Sequence, residues 1–262
     1  MSRNRLIPLL AVAALVLLAL PAAASDSVIR NGIDVWHTTS GTFANFRSQP
    51  IPAGFLCAGS SAFAGRVPLR GVPIVTRNPG DLGGADTVVQ RLDDASFDRT
   101  GIARTRIQFK AMHLASSAPI KTACGSFNVQ VTLDGLQPTT IMRIVQDKRE
   151  GGHFVAPLAL NVKMSFTPVG RKSNERLELV RPIRFPAAQN ALWAFETNAK
   201  AARIAPFTQI DTDGDGVPDT YVPGTSNFAT GRRIPDKQLY TEREPTFDPV
   251  FHENDCATHI VN

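Results

Sequence analysis

The chain has 262 residues, 28 Lys and Arg against 23 Asp and Glu, and a formal net charge of +5. That excess is too small for a nucleic-acid binder, and no Lys/Arg block with interleaved aromatics occurs. The 19 glycines and 19 prolines are spread along the whole length with short apolar runs between them, which excludes a protein of long helices and reads as many short strands joined by turns.

Residues 1–24 have the three parts of a secretory signal. Arg3 and Arg5 supply the positive start, and Leu6 to Leu20 runs without a polar side chain. Pro21 then breaks the helix, and Ala22, Ala23 and Ala24 offer small residues to a signal peptidase. About 20 apolar residues would suffice for an uncleaved anchor, but this run is short and ends in Pro, so cleavage is expected. No Cys follows to carry a lipid, and no later segment is long and apolar enough to cross a membrane. The expected location is secreted or periplasmic. Cleavage removes Arg3 and Arg5, taking the charge from +5 to +3, and leaves 238 of the 262 residues. That is enough for one large or two small domains with a substantial core.

The cysteines are Cys57, Cys124 and Cys256. An odd number in an oxidising compartment suggests one disulfide and one remaining thiol. Cys124–Cys256 and Cys57–Cys124 are the favoured pairings, and no CxxC points to zinc.

The expected fold is an all-β antiparallel sandwich over residues 25–205, followed by a calcium loop and extended tail over 206–262. Its basis is period-two alternation. Ile107, Phe109, Ala111 and His113 fall on one face, with Gln108, Lys110 and Met112 on the other. Val129, Val131 and Leu133 alternate, as do Leu158, Leu160, Val162, Met164 and Phe166. Leu177 to Phe185 reads as a strand ending at Pro186. Ala187 to Ala202 leans towards strand, because Trp193 and Phe195 alternate. Phe63-x3-Val67-x-Leu69-x-Gly71-x-Pro73 is echoed by Phe127-x3-Val131-x-Leu133-x-Gly135-x2-Pro138, each copy following a Cys. This weak repeat suggests two similar β-units, near 57–120 and 124–185. From Gly224 onward the chain is polar and reads as an extended tail on the body.

The strongest chemical signal is Asp211-Thr212-Asp213-Gly214-Asp215-Gly216-Val217-Pro218-Asp219. Carboxylates at positions 1, 3, 5 and 9 converge, Gly216 permits the sharp turn, and the Val217 carbonyl can add an oxygen. Four carboxylates so close repel one another, which makes a cation physically expected. The stretch resembles the calcium loops of thrombospondin type 3 repeats, dockerins and EF-hands. That resemblance, covering nine residues, implies Asp211, Asp213, Asp215, Val217 (through its backbone) and Asp219 as Ca²⁺ ligands. It departs from the EF-hand at position 12, where Val222 replaces the bidentate Glu, so either the affinity is modest or another carboxylate such as Glu242 or Asp236 completes the shell. The ion reads as a structural staple, since nothing nearby looks like a base or nucleophile.

Other motifs carry less. The tail His252-Glu253-Asn254-Asp255-Cys256-Ala257-Thr258-His259 holds several candidate zinc or copper ligands, but Cys256 stands where HExxH needs its second His, and a polar C-terminal strand is the plainer reading. No G-x-S-x-G elbow occurs, His37, His113 and His153 are scattered, and Asp93-Asp94 and Glu242/Glu244 read as solvated charges. The segment Gly84-Ala85-Asp86-Thr87-Val88-Val89-Gln90-Arg91, with the strand Ile107 to Leu114 and the turn Ser116 to Ile120, resembles a recurring pattern of uncharacterised exported bacterial β-rich proteins. The likeness spans roughly Phe63 to Phe166 and implies export and β-structure, without catalytic residues. The expected function is a secreted, calcium-stabilised β-sandwich with a structural or binding role at the cell surface or outside the cell. Its partner would be an extracellular protein or a glycan. The alternative is a secreted hydrolase whose site is assembled only by folding.

Overall fold

A computed structural model of the protein describes residues 28–38, 41–78, 82–170, 176–185, 191–195 and 204–230. The expected signal at 1–24 and everything from residue 231 onward, including Asp236, Glu242 and the 252–259 stretch, lie outside these. The described residues form strands and turns and no helix, so none is long and apolar enough to cross a membrane.

In chain order the strands begin with β1 (Val28–Ile29), β2 (Gly32–Trp36), β3 (Phe43–Asn45), β4 (Arg66–Gly71), β5 (Thr87–Arg91) and β6 (Ala95–Ser96). Next come β7 (Ile102–Met112), β8 (Leu114–Ser116), β9 (Ile120–Thr122), β10 (Gly125–Leu133), β11 (Thr140–Lys148) and β12 (Gly151–Val155). The series ends with β13 (Leu158–Pro168), β14 (Leu177–Phe185), β15 (Ala191–Phe195), β16 (Thr208–Ile210), β17 (Thr220–Val222) and β18 (Phe228–Thr230). They pair antiparallel, in two large sheets and two two-stranded ones, β1 with β6 and β16 with β17. One large sheet has the order β14-β13-β10-β8-β4-β3, with β9 also on β10. The other has the order β18-β15-β12-β11-β7-β5-β2. The all-β antiparallel architecture read from the sequence is therefore the observed one.

The main core lies between the sheets. In the first sheet, Val129, Val131 and Leu133 of β10 stand opposite Phe166, Met164 and Val162 of β13, and all six are buried. This is the face the alternation marks out. The second sheet contributes an aromatic group in which Trp36 meets Phe109 edge-on and Trp193 stacks on Phe97 and Phe228. β15 is a strand, as the spacing of Trp193 and Phe195 predicts, and the Trp193 indole N–H donates to the Val145 carbonyl.

β7 departs from simple alternation. Val89 pairs with Phe109 but Val88 pairs with Ala111, so Lys110 is an extra residue in a bulge. A one-residue bulge inverts every side chain beyond it. Ile107 and Phe109 accordingly face the main core, while Ala111 turns outward and Met112 takes the inner place. The strict alternation expected over this strand holds only as far as Phe109.

Ala111 belongs to a second core on the outer face of the second sheet. There Ile33, Val88 and Ala111 are covered by Ile74, Leu82 and Ala85 and by Ile204, Ile210 and Val222. Two residues further, His113 separates β7 from β8 and carries the chain from one large sheet to the other.

The second sheet curls until β18 approaches β2. The seam is held by Ile33 N–H donating to the Gly224 carbonyl at 3.1 Å, and by Asn227, which accepts from Arg30 N–H and donates to Val28 O. The Arg91 guanidinium sits behind the seam. It donates to both oxygens of Asp34 at 2.9 and 3.1 Å, to Ser226 Oγ at 2.7 Å and to the Arg30 carbonyl, and it lies over the Phe228 ring. The stretch expected to begin an extended tail at Gly224 is thus built into the sheet up to Thr230. Of the two favoured disulfides, Cys57–Cys124 is formed, with Cα atoms 5.8 Å apart.

Candidate metal centre

β16 and β17 form a hairpin with Thr208 opposite Val222, Gln209 opposite Tyr221 and Ile210 opposite Thr220. The acidic loop, residues 211–219, is its tip. Alternation turns Ile210 and Val222 into the second core, which fastens the hairpin to the sheet. Backbone bonds hold its other side: Asp211 N–H donates to Val75 O at 2.9 Å and Arg77 N–H to Gln209 O at 3.3 Å.

Within the loop the carboxylates organise the backbone. Asp211, only 1 % exposed, accepts from Gly214 N–H at 2.7 Å and from Gly216 N–H at 2.9 Å. Asp213 accepts from Asp215 N–H, and Asp215 from Val217 N–H. Gly214 and Gly216 have φ of 81° and 92°, which glycine adopts without a steric penalty. The result brings one carboxylate oxygen each from Asp211, Asp213 and Asp215 within 4.8 Å of one another. Three oxygens up to about 4.5 Å apart fit on a sphere of the radius at which Ca²⁺ holds oxygen, about 2.3–2.6 Å, so the group stands at or just beyond ligating spacing.

The other two expected ligands are Asp219 and the Val217 backbone. Asp219 lies outside that group, its oxygens accepting from Thr212 Oγ1 at 2.9 Å and from Thr212 N–H at 3.3 Å. Val217 is 60 % exposed, and its N–H is spent on Asp215.

The loop rests on the junction between the two sheets. A Cβ on Gly214 would lie 2.7 Å from Thr132 Cγ2 and 3.8 Å from His113 Nε2. His113 is buried beneath the loop. Burial pushes its pKa down, against the pull of Asp211, the Thr212 backbone and Asp213. Its backbone N–H donates to Asp86 O, while Nε2 is buried without a partner, as is Thr132 Oγ1. The sequence marks His113 only as a strand residue; its place beneath the loop follows from contacts about a hundred residues apart.

Asp86 occupies the same junction. Its carboxylate accepts from Thr38 N–H at 2.7 Å, Thr38 Oγ1 at 3.0 Å and Thr87 Oγ1 at 2.8 Å. Burial raises its pKa despite these donors. Gly71 makes room for it, since a Cβ there would stand 1.8 Å from Asp86 Oδ2.

Of the other described histidines, His37 acts electrostatically on Asp86 at the junction, and His153 is peripheral. His153 pairs with Asp147 at 2.6 Å on the β11–β12 hairpin. Asp93 and Asp94 pair with Arg106 and Arg30 in solvent, as expected for surface charges. Comparison of the chain with protein-family models, with curated proteins and with solved structures finds no match.

Proposed function

We propose that this is a secreted, calcium-stabilised β-sandwich with a structural or binding role at the cell surface or outside the cell. The observation that carries the reading is the convergence of Asp211, Asp213 and Asp215 in a loop seated on the sheet junction. The donors are all hard oxygens, which suits Ca²⁺ better than a softer metal. An ion here neutralises carboxylates that otherwise repel, and it ties the hairpin to the core beneath. Export follows from residues 1–24 and is consistent with the disulfide, because disulfides persist in oxidising compartments.

Thermal unfolding in 2 mM CaCl₂ and in EGTA tests the ion. For a dissociation constant of about 0.1–1 mM, typical of extracellular sites, mass action gives about 0.6–1.8 kcal/mol. For a domain of this size that is a rise in Tm of about 1–7 °C. Asp213→Asn/Asp215→Asn should abolish the rise. A Tm indifferent to chelator would remove the calcium reading.

A further inference from the structure

The packing described so far makes no use of the outer face of the β16–β17 hairpin. Gln209 and Tyr221 stand opposite each other there, and Tyr221 is 60 % exposed. Phe207, just before β16, is 81 % exposed and has φ 66°, the single positive-φ residue other than glycine among the described residues. An aromatic residue in the left-handed region is strained, and such outliers gather at ligand sites. Closure of the hairpin fixes it, through Phe207 N–H donating to Val222 O at 3.0 Å. The hairpin therefore holds an apolar ring out in water, on the element that carries the acidic loop. Tyr221 and Gln209 are each two residues from the loop, about 7 Å along a strand.

The loop itself falls short of a full shell. Ca²⁺ takes six to eight oxygens. Asp211, Asp213 and Asp215 converge, and the Val217 carbonyl is the further oxygen that the loop's spacing leads one to expect. Val222 at position 12 is a buried hydrocarbon, and Asp219 is engaged by Thr212. The exposed side of the loop, at Asp213 and Asp215, is where a ligand's oxygens would enter. On the core side, His113 Nε2 and Thr132 Oγ1 are unpartnered on side chains each 5 % exposed. Buried polar atoms nearly always have a partner, and a bound ion with its water can be that partner here.

Charge selects the ligand. Four aspartates less one divalent ion leave the loop net negative, even with Arg77 on the adjoining segment. An anionic lipid or peptide is repelled by that remainder, whereas a neutral polyol is not.

We infer that the hairpin is a calcium-dependent binding site for a neutral glycan. Two adjacent hydroxyls complete the ion's shell. The rings of Tyr221 and Phe207 cover the C–H faces of neighbouring sugars, removing them from water. The Gln209 amide supplies a donor and an acceptor between them. This inference rests on the calcium reading above.

The test is affinity electrophoresis of the whole protein through gels containing mannan, galactomannan or xylan, each with CaCl₂ or EGTA. It is accompanied by cosedimentation with vesicles of phosphatidylserine and phosphatidylcholine. The calcium-induced rise in Tm is recorded for every variant. Tyr221→Ala and Phe207→Gly are used, the latter because glycine keeps φ 66° without the ring. The expected result is retardation by at least one polysaccharide in calcium alone. Each variant should weaken it at least fivefold while keeping the rise in Tm. A normal rise in Tm with no retardation by any of the three overturns the glycan site and leaves the calcium reading standing. Retardation that persists in EGTA or in both variants, or binding to vesicles instead, also overturns it. No rise in Tm in the parent protein removes both.

Discussion

Replacing Arg91 by Met should weaken the protein more than any change at its surface. Arg91 and Asp34 are 0 % and 1 % exposed at the side chain, and the carboxylate takes two hydrogen bonds from the guanidinium. Met fills much of the same volume but leaves Asp34 buried and unpaired. That imbalance costs about 3–5 kcal/mol, or about 6–20 °C in Tm for a domain of this size. The loss should depend on pH. Burial already raises the Asp34 pKa from its ordinary 3.8, with Arg91 opposing it, so removing Arg91 raises it further. A carboxyl raised in the folded state contributes its stability fully below the unfolded pKa, and that contribution is lost as pH rises through the folded value. The shortfall should therefore be smallest near pH 4 and grow towards neutrality. Urea unfolding followed by circular dichroism at several pH values measures it. Asp34→Leu/Arg91→Met should recover most of the loss, because the charge and its partner leave together. A single variant within 1 kcal/mol of the parent, or a double variant no better than the single, would refute the argument.

Two further outcomes concern the scaffold. Cys57→Ser/Cys124→Ser opens a loop of 67 residues, for which chain entropy predicts a loss of about 4 kcal/mol; a urea midpoint equal to the parent's would contradict that account. Gly71→Ala places a methyl where Asp86 Oδ2 now stands and must break its bonds to Thr38. A loss of more than about 2 kcal/mol is expected, by the same measurement, and a neutral result would mean that Asp86 is not held as described.

The parts of this fold legible in the sequence are those set by local period. Val129 to Leu133 and Leu160 to Phe166 alternate without interruption, and their pairing keeps that register. β7 was only half legible, because the bulge at Lys110 depends on its partner β5 and leaves no local mark on the apolar pattern. β18 was hidden by composition: Phe228 is one apolar residue in a polar stretch, and its burial comes from Trp193 and Arg91 across the seam. Nothing local marks Arg91 as buried; its place follows from Asp34, 57 residues earlier. The convergence of Asp211, Asp213 and Asp215 follows from spacing in one short loop. The engagement of Asp219 by Thr212, and the position of His113 beneath the loop, require the hairpin and the crossover between sheets.

The seam between β2 and β18 makes completion of the fold wait for nearly the last of the described residues. During synthesis β2 is among the first strands to emerge, yet the Ile33 N–H on its free side has no partner until Gly224 arrives, and the segment just before it waits for Asn227. An unpaired edge is a template for other chains. A chain stopped just before Gly224 would keep most of its sheets and still present that template, so truncations there should aggregate rather than merely melt early.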